Sequence, residues 1–244
     1  MSIESKADQR IGRIVALTLQ AMKAEVLPGR TTAEIDRVAA HTLRRWDAKS
    51  APKLRYGFPA TACISVNDEV VHGIPGDRKL ENGDLVTIDV TAELDGYIAD
   101  AAVSLVAGDA TALHERLIGC ARRAFNASMK YARAGRPIRR LGHEIERQVR
   151  SEGFHVIREL NGHGVGREIH EPPNVPNYGA SWANERFREG LVITIEPIIS
   201  AGTNQYYELS DGWTTRTIDG SLAAHHEHTI LITRSRPVIL TTAA

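Results

Sequence analysis

The sequence contains little cysteine, no excess of either charge and no long hydrophobic run. Its two cysteines, Cys63 and Cys120, are too few for a disulfide framework in 244 residues and suit a reducing compartment. Lysine plus arginine and aspartate plus glutamate number 30 each, so no overall electric field attracts nucleic acid or an anionic membrane. No apolar run reaches membrane-spanning length, and the first residues lack the apolar region of a signal peptide. We therefore expect a cytoplasmic protein without direct nucleic-acid or membrane partners.

Segments of helical and strand-like periodicity follow one another and indicate an α+β chain. Its 244 residues suffice for one large domain with a sizeable core, and we expect a single domain over residues 1–244. Between the second predicted helix and the first predicted strand, Pro52, Gly57 and Pro59 predict a loop. The predicted helices cover residues 4–27, 31–47, 110–134 and 137–152, and the predicted strands cover 62–66, 70–75, 84–94, 97–108, 155–160, 191–199, 206–217 and 227–233.

Residues 84–100 form the most informative stretch, because two apolar strands flank a dipeptide suited to a tight hairpin turn. That dipeptide is Asp95-Gly96. If these two residues form the turn, residues that face each other across the hairpin have numbers that sum to 191. The hairpin register then places Asp100 opposite Thr91.

Asp89 and Asp100 should converge on one face of this hairpin, because Asp89 lies two residues along the strand from the position opposite Asp100. Such diagonal neighbours are about 7–8 Å apart at the backbone. Two carboxylates so close in an apolar sheet are costly unless positive charge lies between them. Two divalent ions about 3.5–4 Å apart would supply that charge. An aspartate near a strand end can also serve as a cap or an edge residue, so the hairpin alone leaves both interpretations open.

The second half of the chain repeats features of the first. His72-Gly-Ile is echoed by His163-Gly-Val, and an acid follows six residues after glycine in both Gly83–Asp89 and Gly190–Glu196. A second strand acid follows in each half, Asp100 in the first and Glu227 in the second. We interpret this as an internal duplication with pseudo-repeats of about 1–108 and 109–244, each ordered helix, helix, strand with histidine and two strands with acids. A pseudo-twofold axis would bring the acid-bearing strands together in a central antiparallel sheet.

The side chains collected by this duplication are rich in oxygen and poor in nitrogen. Such a set favours manganese, cobalt, iron or magnesium over a closed structural zinc site. The four candidate carboxylates and the best candidate imidazole are Asp89, Asp100, Glu196, Glu227 and His163.

Three histidines stand out among the ten in the chain. The glycines on either side of His163 allow close backbone approach, so it is the better metal ligand. His72 is then left to face a substrate, and His170 lies in a proline-stiffened loop suited to cover a site. For the other histidines we expect surface or packing roles; they are His41, His114, His143, His155, His225, His226 and His228.

Several motifs together resemble the type I methionine aminopeptidases, over nearly the whole chain. The resemblance implies the pita-bread fold, two divalent ions such as cobalt, manganese or iron, and removal of N-terminal methionine before a small second residue. It also implies a monomer that acts on nascent chains, with the ribosome as one place of encounter, and no N-terminal extension. The motifs are Cys63-Ile-Ser-Val-Asn-Asp-Glu-Val-Val-His-Gly-Ile-Pro75, Ile88-Asp89 with Asp100, Gly162-His-Gly-Val-Gly166, Thr194-Ile-Glu-Pro197 and Glu227-His-Thr229.

The resemblance also implies a role for each site residue. Asp89 would bind one ion, Asp100 and Glu227 would bridge both, and His163 and Glu196 would bind the other. Glu196 would in addition accept a proton from the attacking water. His170 would stabilise the oxyanion and His72 would hydrogen-bond the scissile amide nitrogen.

Around the expected methionine pocket the chain departs from its relatives. Arg55-Tyr56 replaces a frequent Tyr-His, Ile169 replaces a common aromatic residue, and Asn161 replaces a common small one. These changes affect the expected side-chain preference rather than the chemistry. The expected pocket walls are Phe58, Cys63 and Trp213.

Three alternatives remain open on sequence grounds. An Xaa-Pro peptidase on the same fold would use the same ligands, but it usually carries a further N-terminal domain. A metal-free peptide-binding or ribosome-associated module would be expected to have lost ligands, whereas all five positions are filled here. A phosphatase-like two-metal site would need a phosphate-binding loop, and none is evident.

Overall fold

The computed structural model describes residues 3–243 of the chain, with side chains described from residue 8 to residue 243. The helices are α1 (Ile3–Lys23), α2 (Thr32–Arg45), α3 (Ala51–Tyr56), α4 (Ala112–Ser128) and α5 (Ile138–Ser151), with a short 3-10 helix at Met129–Tyr131. The strands are β1 (Lys49–Ser50), β2 (Cys63–Val66), β3 (Leu85–Leu94), β4 (Tyr97–Val106), β5 (His155–Val156), β6 (Gly162–Gly164), β7 (Glu171–Val175), β8 (Val192–Ile195), β9 (Ile198–Ser200), β10 (Tyr206–Glu208), β11 (Thr215–Thr217), β12 (Ala223–His225), β13 (His228–Leu231) and β14 (Val238–Ile239). Among the described helices, none is both long enough and apolar enough to cross a membrane.

Side-chain caps fix where the long helices begin. Thr31 accepts a hydrogen bond from the Glu34 amide at 3.1 Å, and Glu34 accepts one from the Thr31 amide at 2.8 Å, which is a capping box at the start of α2. Pro137 occupies the N-cap position of α5 without a side-chain hydrogen bond, one residue earlier than its predicted place in the first turn. The four predicted long helices are present, each of them ends earlier than predicted, and all except α1 begin later.

The predicted loop around Pro52 is wrong, because α3 occupies residues 51–56. Ser50 opens this helix by accepting a hydrogen bond from the Lys53 amide at 3.4 Å. Pro52 lies in the first turn, where its missing N–H removes no helical hydrogen bond. Gly57 ends the helix in the left-handed region, with φ of 72°.

Several predicted strands are shorter or broken. Residues 70–75 form no strand, the run 191–199 is divided between β8 and β9 at Glu196-Pro197, and the run 206–217 forms the separate strands β10 and β11. Only His155–Val156 of the strand predicted at 155–160 is extended. Strands β1, β6, β7, β12 and β14 lie outside the predicted strand ranges. Four of them have only two or three residues, too few to show a period, and β7 contains Pro172 and Pro173, which argue against a strand.

The strands of the two halves pair in the same order. In the first half β3 pairs with β4 on one edge and with β2 on the other. In the second half β8 pairs with β13 on one edge and with β6 on the other. All ladders among the described strands are antiparallel. The counterpart of β6 is β2, so the predicted strand with histidine holds for His163 but not for His72, which lies in the loop beyond β2.

The two half-sheets meet edge to edge between β4 and β13. The Glu227 amide donates to the Ala102 carbonyl at 2.9 Å, and an antiparallel bridge joins Val103 to His226. The combined order β2-β3-β4-β13-β8-β6 is the central antiparallel sheet of the predicted pita-bread fold, and a pseudo-twofold axis passes between β4 and β13. The antiparallel pairing agrees with the central sheet that the sequence predicts.

Each half packs its helices on its own part of the sheet. Ile11 and Met22 of α1 and Ile35 of α2 are fully buried in a core with the strands of the first half. Leu117 of α4 and Ile145 of α5 are fully buried in a second core, with the strands of the second half. Because side chains alternate along a strand, Ile88 and Ala101 lie in the core with the helices α1 and α2, whereas their neighbours Asp89 and Asp100 lie on the opposite face of the sheet.

Candidate metal centre

Four carboxylates meet where the two half-sheets join, and three of them are buried while that of Asp89 is half-buried. Asp89 lies on β3 opposite Ala102, and Asp100 lies on β4 opposite Thr91, as the predicted hairpin register requires. Glu196 directly follows β8, and Glu227 directly precedes β13. The sequence-predicted acids of both halves are thus brought together at one place.

Threonine hydroxyls hold two of these acids in place. Thr229 accepts a hydrogen bond from the Asp100 amide at 2.9 Å and donates to the Asp100 carbonyl at 2.7 Å, which ties β13 to β4. Thr194 donates to Glu196 Oε1 at 2.6 Å. The Asn177 side chain donates to the Glu196 carbonyl at 2.9 Å, which fixes the backbone just after the end of β8.

His163 presents one ring nitrogen to this cluster. Its amide donates to Thr194 Oγ1 at 3.0 Å, and its Nδ1 lies 2.9 Å from the Gly164 carbonyl, to which it donates. The proton on Nδ1 leaves the lone pair on Nε2, which lies 3.4 Å from Glu196 Oε1. This backbone hydrogen bond selects the tautomer that binds a metal through Nε2.

The donor atoms fit divalent cations. Asp89 Oδ1 and Asp100 Oδ1 are buried and have no hydrogen-bond partner within the described part of the chain. The described residues that line the cavity above the cluster include no lysine or arginine that would neutralise the acids. Two groups of three residues could each hold an ion, because the donor atoms within each group all lie within 4.8 Å of one another. One group is Asp100, His163 and Glu227, and the other is Asp89, His225 and Glu227.

Without a cation the cluster retains protons. Burial, followed by repulsion from neighbouring acids, holds the pKa of Asp89 and of Glu227 well above their ordinary values. Burial raises the pKa of Glu196 to about 8 and also raises that of Asp100. Burial lowers the pKa of His163 to about 4. The imidazole is therefore neutral at physiological pH, which is the form that binds metals.

His72 and His170 face the cluster from two loops. His72 has φ of 59°, a left-handed backbone that turns the chain at the cavity wall. The His170 ring centroid lies 4.3 Å from that of His163. Tyr56, one of the departures from the family pattern, lies 2.8 Å from His170 Nδ1 through its hydroxyl and stacks on the same ring. Partial desolvation at the cavity lowers the pKa of His72 and of His170.

The cavity above the acids encloses about 170 Å³ and is walled largely by apolar side chains. Phe58 and Trp213 form one wall, with ring centroids 5.1 Å apart in an edge-to-face arrangement. Cys63 is buried beside Phe58. The substituted residues Asn161 and Ile169 also line this cavity.

Arg55, in contrast, is directed away from the cavity, and its guanidinium lies 3.3 Å from Glu168 and donates to the Arg167 carbonyl at 3.0 Å. Among the four residues that depart from the family pattern, Arg55 alone lies outside the described cavity lining, whereas Tyr56, Asn161 and Ile169 belong to it.

His225, for which the sequence predicts a surface or packing role, lies at the cavity rather than on the surface. This residue is 2% exposed, lies in the cavity lining, and belongs to one of the two donor groups. Alternation along a strand gives the signal that would have found it, since His225 and Glu227 are two residues apart and can point to the same face. The predicted strand began at Glu227, so this relation was missed. The other six histidines lie outside the described cavity lining.

Comparison with known proteins identifies the family. The model of metallopeptidase family M24 matches residues 8–234. The chain belongs to this family. Among members of M24, methionine aminopeptidase 2 of Bacillus subtilis (strain 168) is 44% identical over 235 residues, which cover 96% of this chain and 94% of the relative. Methionine aminopeptidase of Escherichia coli (strain K12) is 38% identical over 232 residues, which cover 94% of this chain and 88% of that relative.

Solved structures of M24 proteins agree with this. The crystal structure of methionine aminopeptidase from Thermotoga maritima superimposes with a TM-score of 0.96 at 37% identity, covering 99% of this chain and 98% of that one. A prolidase from Pyrococcus horikoshii shares the fold with a TM-score of 0.79 at 23% identity, but this chain covers only 63% of it. The predicted resemblance to methionine aminopeptidases is therefore confirmed, and the likeness to prolidase shows the fold alone.

Proposed function

We propose that this M24 protein is a methionine aminopeptidase, a metallo-exopeptidase that hydrolyses the first peptide bond of peptides and proteins beginning with methionine. The observation that carries the proposal is a cluster of four carboxylates, three of them buried, and a neutral imidazole in a small cavity whose surface is mostly apolar. Apolar walls suit the methionine side chain, and acids at the cavity end suit a charged N-terminus next to the reacting bond.

The ligands of the proposed centre are the five residues predicted from the sequence. Asp89 would hold one divalent ion, His163 and Glu196 would hold the other, and Asp100 and Glu227 would contribute to both. The unpartnered oxygens of Asp89 and Asp100 support this assignment. With four carboxylates, the set suits cobalt, manganese or iron. When bound, such ions supply Lewis-acid activation of water and of the substrate carbonyl.

Three side chains act on the substrate and its protons. Glu196 accepts the proton of the attacking water, which suits a carboxylate whose pKa burial raises to about 8. His170 donates a hydrogen bond to the oxyanion from Nε2, since its Nδ1 is engaged by Tyr56. His72 binds the scissile amide nitrogen. Its place in the cavity lining, on a left-handed turn of the backbone, supports this role.

Phe58, Cys63 and Trp213 are the proposed walls of the methionine pocket. Asn161 and Ile169 also line the cavity, so they influence how tightly the side chain fits. We place the reaction on nascent chains in the cytoplasm, by a monomer that meets them at the ribosome. The two unpaired, buried cysteines suit that reducing compartment.

The test is release of free methionine from Met-Ala-Ser, compared with Met-Leu-Ser and with N-acetylated Met-Ala-Ser. We expect the first peptide to be cleaved best, because a small second residue fits beside the acids and a free amine is required. Chelation should abolish turnover, and manganese or cobalt should restore it better than calcium. Equal turnover of the acetylated peptide would exclude an exopeptidase, and preferential cleavage of Xaa-Pro peptides would favour a prolidase.

A further inference from the structure

His225 is a buried imidazole that has no hydrogen-bond partner at either ring nitrogen within the described part of the chain. Its side chain is 3% exposed. A polar group buried without a partner is costly, so such a group usually marks a ligand or an ordered solvent molecule. The proposed roles of the five ligands, of His72 and of His170 make no use of His225.

The main chain holds His225 rigidly against the other half of the molecule. Its amide donates to Ser104 Oγ at 2.8 Å, and the same hydroxyl donates to the His225 carbonyl at 3.0 Å. Ser104 in turn lies 2.7 Å from Thr87 Oγ1, which anchors it to β3. The imidazole therefore keeps its place relative to β3 and β4, which carry Asp89 and Asp100.

The ring is directed at the acids. Nε2 of His225 lies 3.6 Å from Glu227 Oε2, which is too long for a hydrogen bond. Two donor atoms each about 2.1 Å from a common ion lie about 3.0–3.4 Å apart at angles between 90° and tetrahedral. A carboxylate oxygen of Asp89 completes a group in which all donor atoms lie within 4.8 Å of one another. This spacing suits a shared cation better than a direct contact.

We propose that His225 is a further ligand of the divalent ion that Asp89 and Glu227 hold, so that each of the two metal positions has one imidazole. The proposal rests on the proposed metal centre. The two donor groups then match, with His163 serving one position, His225 the other, and Glu227 belonging to both. Because imidazole strengthens binding of the later first-row ions, the Asp89 position should prefer cobalt, nickel or zinc to manganese.

The adjacent residue offers a matched control. His226 is also a largely buried histidine, but its ring packs edge-on against Phe125 and His228, with centroids 5.3 and 5.2 Å away. It lies outside both donor groups and outside the described cavity lining. His226→Gln therefore makes the same chemical change one residue away from the proposed ligand.

The first experiment is calorimetric titration of the metal-free protein with Co²⁺ and with Mn²⁺. For His225→Gln we expect one Co²⁺ affinity to fall by at least about tenfold, with a smaller fall for Mn²⁺, and an altered visible spectrum of the Co²⁺ protein. His226→Gln should match the wild type in both affinity and spectrum. Wild-type Co²⁺ affinities and spectrum in His225→Gln would overturn the proposal.

A second measurement needs no variant. Cobalt X-ray absorption of the wild-type protein loaded with two equivalents should count two imidazoles per two ions. A count of one would overturn the assignment of His225, even if the substituted chain failed to fold. Methionine release by the same loaded preparation tests the proposed function separately, since an enzyme with one imidazole would still cleave Met-Ala-Ser.

Discussion

The proposed centre divides its side chains into metal ligands and groups that bind substrate. Asp89, Asp100, Glu227 and His163 belong to the two groups of possible metal donors, whereas His72 and His170 approach from loops. The division predicts two classes of variant. His163 and His72 are assigned different roles in spite of their common His-Gly motif, because His163 lies on β6 whereas His72 lies in the loop after β2.

Asp100→Ala, Glu227→Ala and His163→Ala should each lose bound metal and all turnover. His72→Ala and His170→Ala should keep metal near the wild-type content, while kcat falls by about 10²–10⁴-fold because a proton donor or oxyanion partner is missing. The measurement is metal stoichiometry by elemental analysis beside kcat for each variant. Loss of metal from His72→Ala with retention in His163→Ala would reverse the assignment of the two loops.

The sequence predicted acids more reliably than histidines. Asp89 and Asp100 followed from a hairpin whose turn dipeptide defined the register, and the structure has that register. His225 could not be separated from His226 and His228 by composition, because the side to which each points depends on where the strand begins. That boundary is set by the pairing of β12 with β9, which is a tertiary contact.

Among the elements, the loop after β2 is held unusually close to its strand. The Ile64 amide donates to the Gly73 carbonyl at 2.9 Å, and the Gly73 amide donates to Ser65 Oγ at 3.1 Å. A Cβ on Gly73 would lie 2.3 Å from the Ile64 carbonyl oxygen. Glycine at this position therefore allows the approach that brings the neighbouring His72 to the cavity.

Gly73→Ala should push the loop away from β2 and displace His72. We expect a loss of about 1–3 kcal/mol in the free energy of unfolding, typical of overpacking, together with a lower kcat. Gly76→Ala is the matched control, because a Cβ there meets nothing within 4 Å. Denaturant unfolding and peptide turnover provide the comparison, and equal stability of the two variants would contradict the close-approach argument.

Element prediction failed where a residue type has two uses. Pro52 was interpreted as a helix breaker, yet it stands in the first turn of α3, where proline is well tolerated. Pro197 did break a strand, since β8 ends at Ile195 and β9 begins at Ile198. Only the surrounding contacts decide between these outcomes, whereas the long helices and the β3–β4 hairpin carry enough local pattern to be predicted.

For the whole molecule, the buried acids make the metal-free fold sensitive to pH. Burial raises the pKa of Glu196 from 4.5 to about 8, so between these values the folded chain holds a proton that the unfolded chain has released. The contribution of protonated Glu196 to the free energy of unfolding is fully present below about pH 4.5 and is lost as the pH rises through about 8. His163 and His225 act in the opposite sense, but only below their ordinary pKa of 6.5.

Between pH 6.5 and 8 the acids therefore dominate, and the metal-free protein should become less stable as the pH rises. Denaturant unfolding of chelator-treated protein at several pH values measures how the free energy of unfolding changes with pH. Asp89→Asn should make this change smaller, because it removes one of the neighbouring acids. Saturating Co²⁺ should reverse the trend, because ions bind the deprotonated form. Rising stability of the metal-free protein over this range would contradict the assignment of raised pKa values.

The hydrogen bond from the Glu227 amide to the Ala102 carbonyl joins a late segment of the chain to an early one. The two halves of the site therefore become available at different times during synthesis. As the chain is synthesised, the first half can collapse around its own core of α1, α2 and the early strands. Asp89 and Asp100 are then present, but their partner ligands on the later strands have not yet been made. We therefore expect the newly made chain to bind metal and become active only after its second half has folded against the first.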